Sequence, residues 1–191
     1  MFVDGEVPML TDAIARDRLY SSPTGERRHG MVGQEQKHEA IAARILEACM
    51  AVYADDLVVC ALFGSYARGT ATPESDIDVL VVARNLPRGR MNRVQQFGQV
   101  EERSVGSRPD LINAELSPVI KTCAEVERGS PLFWDMTDDV VLLYDENGYF
   151  GHYLSELKRR LNLLGARKIV NGNAWYWILK EDFVPGEVFE I

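Results

Sequence analysis

An α+β class follows from how this chain alternates its patterns. Stretches with apolar residues at helical spacing are separated by short, continuous apolar runs that suit buried strands. Gly, Pro and Ser punctuate the joins, and no internal repeat or low-complexity segment interrupts the succession. The order reads helix, strand, short helix, strand, helix, strand, helix, strand, helix.

The elements are justified in turn. Met1 to Gly30 combines a weakly helical piece, Leu10–Tyr20, with a polar turn-rich stretch around Pro23 and Gly25, and is read as an arm of open role. Gln34–Tyr53 places Ala40, Ile41, Ile45, Ala48, Cys49 and Val52 at helical spacing. Leu57–Phe63 is a buried strand, and Ser65–Arg68 starts a short helix that Gly69 closes. Pro73 marks a loop before a second strand, Asp76–Ala83. Leu86–Arg90 is a loop, and Met91–Ser104 a helix with Val94, Phe97 and Val100 on one side. After a break at Gly106–Pro109, Asp110–Glu115 reads as a third strand. Ser117 suits an N-cap and Pro118 a first turn, which predicts a helix to Arg128 before Gly129. Leu132–Met136 is a helical turn, Val140–Tyr144 a strand, and Tyr149–Leu164 a helix stopped by Gly165. Ala174–Ile191 is aromatic and β-prone, broken at Pro185-Gly186. Trp175 and Trp177 share one strand face, which favours a tail packed on the core or on a second copy over a base-stacking platform.

Composition narrows the function classes. At 191 residues, with 46% apolar and 26% charged residues, the chain is an ordinary globular protein able to bury one core. The expected division is an arm at 1–30, a core domain at 31–150, and a C-terminal helix with aromatic tail at 151–191 packed on that core. A net charge of −8 argues against general nucleic-acid binding, which needs a basic stripe to displace counterions. Cys49, Cys60 and Cys123 form no Cys-X-X-Cys pair and read as free thiols of a reducing compartment. Nothing approaches a membrane-spanning apolar run, and the first residues are acidic, so the expected location is cytoplasmic and away from membranes.

The chemistry is concentrated between residues 57 and 83. Gly64-Ser65 ends the first apolar strand, and ten residues later Asp76-Ile77-Asp78 opens the second. Asp76 and Asp78 are two apart on a strand, so they share a face and repel each other unless a cation intervenes. Mg²⁺ suits the place, because it takes one or two carboxylates together with substrate phosphates. A glycine turn with outward backbone N–H groups suits the phosphates. Neither a Walker A nor a Gly-X-Gly-X-X-Gly sequence is present.

Gly-Ser, ten residues, Asp-X-Asp resembles the signature of the DNA polymerase β-type nucleotidyltransferase superfamily, and within it the minimal nucleotidyltransferases. The resemblance implies an α+β, sandwich-like domain with a mixed sheet of about four to five strands and helices packed behind it. It also implies transfer of a nucleoside monophosphate, AMP from ATP, to a protein or small-molecule hydroxyl, with release of pyrophosphate. The cofactor would be Mg²⁺, two ions with the bound nucleoside triphosphate. On this reading Asp76 and Asp78 hold metal, and Gly64, Ser65 and Arg68 hold the triphosphate. Arg68 has the alternative of pairing with Glu74. Two ions need a third carboxylate on a neighbouring strand, for which Asp110 is the candidate and Glu115 and Glu101 the fallbacks. The alternative function, also implied by the resemblance, is an antitoxin-like protein that neutralises a helical toxin with little or no transfer. Self-association stays open.

Overall fold

Seven consecutive residues of the first strand, Leu57–Phe63, are buried, and this strand (β1) is the centre of the molecule. In the computed structural model, residues 32–72, 74–106, 114–172, 174–184 and 187–188 are described. The N-terminal arm with its Leu10–Tyr20 piece, Asp110, and the Pro185-Gly186 break lie outside the described residues.

Helix α1 (Val32–Tyr53) leads into β1, and the five-residue helix α2 (Gly64–Arg68) follows it. Strand β2 (Ile77–Ala83) runs back antiparallel to β1, pairing Phe63 with Asp78. Helix α3 (Arg90–Glu101) then crosses to β3 (Leu116–Lys121), which lies parallel to β2. Two short helices, α4 (Cys123–Glu127) and α5 (Leu132–Met136), precede β4 (Val141–Asp145), antiparallel to β1. The four strands form a mixed sheet in the order β3-β2-β1-β4. Helix α6 (Tyr149–Leu163) is followed by a separate hairpin of β5 (Arg167–Asn171) and β6 (Ala174–Ile178).

Alternation along β1 and β2 sends side chains to two apolar layers, one on each side of the sheet. Ile77, Val79 and Val81 meet α1 and α3 through Ile41, Ile45, Phe97 and Val100. Leu80 and Val82 face the other way, onto Phe133 and Met136 of α5 and Phe150, Leu154 and Leu157 of α6. The mixed α+β architecture is the one expected, and helices cover both faces of the sheet rather than only the one behind it. Cys49 and Cys60 are free and buried, also as expected. Among the described residues, no helix is long and apolar enough to cross a membrane.

Three expectations are corrected. Ala114 and Glu115 are not in a strand, and the partner of β2 begins at Leu116. The helix predicted from Ser117 is a strand until Lys121. Pro118 sits there on the sheet's outer strand, where its missing N–H costs no ladder bond that β2 needs. The helix starts five residues later than expected, at a capping box: Thr122 Oγ1 accepts from Glu125 N at 3.2 Å, and Glu125 Oε2 accepts from Thr122 N at 2.8 Å. Ala40 is exposed; the inward face of α1 carries Ala42 and Tyr53 instead.

Candidate active site

The glycine turn and the acidic pair meet at one end of the central strands. Phe63 is extended, and the chain then turns sharply at Gly64, whose φ is +68°. A Cβ at Gly64 would stand 2.0 Å from Oδ2 of Asp78. Glycine is thus required twice over: by a backbone conformation other residues rarely adopt, and by the carboxylate packed against it. The short helix ends on Gly69, again at φ +68°, with Gly69 N donating to Tyr66 O at 3.2 Å and Thr70 N to Ser65 O at 3.0 Å.

Asp76 is the residue ahead of β2 and is exposed, whereas Asp78 is half-buried. Burial pushes the Asp78 carboxyl above the usual carboxylate range, and the charge of Asp76 adds to the effect. A hydrogen bond with the Ser117 side chain and the charge of Arg68 pull it back. The two acids are therefore close enough to repel, and a cation between them would relieve the repulsion. Two carboxylates with open access suit Mg²⁺, which keeps several water or phosphate ligands of its own. Among the described residues, no group of three or more His, Cys, Asp or Glu side chains is arranged to hold a metal.

The parallel register places Ser117 beside Asp78, on the strand where a third acid was expected. Glu101 and Glu115 lie near each other, and burial followed by the Glu115 charge raises the Glu101 carboxyl. Arg68 is exposed at the end of α2, with its guanidinium carbon 5.6 Å from the centroid of the Trp175 ring. Sequence reasoning missed two of these neighbours, Ser117 and Trp175. The first was recoverable, since Thr122-X-X-Glu125 marks the true helix start and leaves Ser117 to a strand. The second depends on a contact across more than a hundred residues of chain and had no local signal.

A family model described as "Nucleotidyltransferase domain" matches residues 44–142. A curated relative from Methanocaldococcus jannaschii, named "Putative protein adenylyltransferase MJ1305", is 31% identical over 120 residues, which are 62% of this chain and 79% of that protein. Among solved structures, a toxin-antitoxin crystallised with AMP-PNP is similar at 16% identity and a TM-score of 0.46, covering 65% of this chain and 90% of the other. A variant of the toxin-antitoxin MntA-HpeT is similar at 17% identity and a TM-score of 0.44, covering 64% and 88%. The family match takes in the Gly64 turn, both aspartates and the strands that carry them, and on it this chain belongs to the nucleotidyltransferase domain family.

Proposed function

We propose that the protein transfers AMP from ATP to a hydroxyl group, with release of pyrophosphate. The acceptor oxygen bonds to the α-phosphorus, the bond from that phosphorus to the bridging oxygen breaks, and the hydroxyl proton leaves to solvent or a base. The observation that carries this reading is the packing of the Gly64 turn against Asp78, which joins a phosphate-accepting backbone to a metal-binding carboxylate.

Asp76 and Asp78 hold Mg²⁺. When bound, Mg²⁺ neutralises the triphosphate and its leaving pyrophosphate. Gly64 lets the chain approach the phosphates closely, Ser65 offers its hydroxyl and N–H, and Arg68 adds a positive charge at the outer end of the same turn. Asp110 completes a two-ion site as the third acid and assists the nucleophile. Ser117 fixes the Asp78 carboxylate through its hydrogen bond. The name of the archaeal relative favours a protein hydroxyl as acceptor over a small molecule.

The acceptor is tested by incubating the protein with Mg²⁺, α-labelled ATP and cell lysate, then separating macromolecules from small molecules. Label in a protein band that resists boiling in detergent is the expected result. Label confined to the small-molecule fraction would move the acceptor class, and no Mg²⁺-dependent label in either fraction would contradict the reading.

A further inference from the structure

The C-terminal hairpin is pinned to the core by one carboxylate. Asp135, on α5, accepts from Trp175 Nε1 at 3.1 Å through Oδ2 and from Trp177 Nε1 at 3.1 Å through Oδ1. Lys168 Nζ closes on the same Oδ1 at 2.8 Å. Burial alone would raise the Asp135 carboxyl, but the Lys168 ammonium and the two indole N–H groups outweigh it and hold it below its usual range. Trp177 packs on the second apolar layer, while Trp175 keeps 44% of its surface exposed. An isolated two-stranded hairpin is marginal in water, so this clamp is what sets where the Trp175 ring stands.

It stands beside Arg68. The guanidinium carbon lies 5.6 Å from the ring centroid, a cation–π distance, and Lys168 Nζ lies 5.2 Å from the same ring. Arg68 is three residues beyond Ser65, and its charge is felt at Asp78. An exposed arginine has many rotamers to lose when it grips a ligand. One already resting on an aromatic face has lost part of that freedom beforehand, and binds correspondingly better.

We propose that Trp175, clamped by Asp135, is a positioning residue for Arg68, so that the β5–β6 hairpin is part of the donor-nucleotide site. The proposal rests on the reading of Arg68 as a triphosphate ligand. The ring acts through the guanidinium and so favours the triphosphate; a ring that stacked on the base would favour any adenine nucleotide alike.

The test measures affinity of the full chain, with Mg²⁺, for a non-hydrolysable ATP analogue and for AMP. Trp175→Ala is expected to weaken the analogue about 2- to 5-fold, the range of an exposed cation–π contact, and to leave AMP unchanged. Trp175→Phe recovers most of the loss. In an Arg68→Ala background, itself weakened toward the analogue, Trp175→Ala adds nothing further. Equal weakening toward AMP, a full effect of Trp175→Ala without Arg68, or no effect of Trp175→Ala while Arg68→Ala is weakened would each overturn the proposal alone. An Arg68→Ala variant that binds the analogue as wild type does would overturn the Arg68 reading and the proposal with it. Should Trp175→Ala fail to fold, Asp135→Asn loosens the clamp and must show the same preference, analogue weakened and AMP not; equal or absent effects overturn the proposal.

Discussion

Gly64 and Gly69 share a backbone conformation and differ in what surrounds them, which makes them a matched pair of substitutions. Both have φ of +68°, so alanine at either is strained by roughly 1–2 kcal/mol. Nothing lies within 4 Å of a Cβ at Gly69, and strain is the whole effect there. At a chain of this size that lowers the melting temperature by about 2–8 °C and leaves the site intact. At Gly64 the new Cβ would stand 2.0 Å from Asp78 Oδ2, so the carboxylate must retreat by more than an ångström to reach ordinary contact. Misplacement on that scale costs on the order of 100-fold in rate, about 2.7 kcal/mol of barrier. The assay is transfer of label from α-labelled ATP by wild type, Gly64→Ala and Gly69→Ala, with thermal melts of all three. The expected pattern is similar melting losses and a rate loss for Gly64→Ala alone. Wild-type transfer by Gly64→Ala, or equal rate losses for both variants, would refute the argument that the turn and the carboxylate form one unit.

Three further outcomes are expected. Because the folded state raises the Asp78 carboxyl, the folded chain binds more protons than the unfolded one between the ordinary and the raised pKa, and stability falls as pH rises through that window. Asp78→Asn should therefore melt above wild type at neutral pH without metal, with the advantage shrinking toward acid; a lower melting temperature at neutral pH would contradict this. Ser117→Ala removes a bond that holds the Asp78 carboxyl down, so the acid limb of the transfer rate should move to higher pH, as a rate–pH series will show. Asp110→Asn should abolish transfer from α-labelled ATP; unchanged transfer would give the third acidic role to another residue.

The meeting of the Gly64 turn with Asp78 was legible because it is local. Gly64, Ser65, Asp76 and Asp78 lie within one strand–turn–strand stretch of sequence, although β2 starts at Ile77 and leaves Asp76 just ahead of it. Helix α6 was legible for a similar reason: Leu154, Leu157 and Leu161 repeat at helical spacing and are buried together. The Ser117-Pro118 pair misled because it satisfies a helix start as well as an outer strand, and only the capping box at Thr122 separates the two. Strand β5 went unread although Gly172-Asn173 is a hairpin signal in the sequence, and the strand opens on Arg167 and Lys168 rather than on an apolar run. The Asp135 clamp joins residues 40 and 42 positions apart, and its two indole bonds depend on tertiary packing that no local pattern encodes.

The central claim, that Asp76 and Asp78 serve nucleotidyl transfer, is tested most directly by comparing two labels. The protein is incubated with Mg²⁺, an acceptor-containing lysate, and ATP labelled on either the α- or the γ-phosphate. The expected result is transfer of the α-label only, dependent on Mg²⁺ and lost in Asp76→Asn and Asp78→Asn. Transfer of the γ-label, or α-label transfer undiminished in both variants, would contradict it.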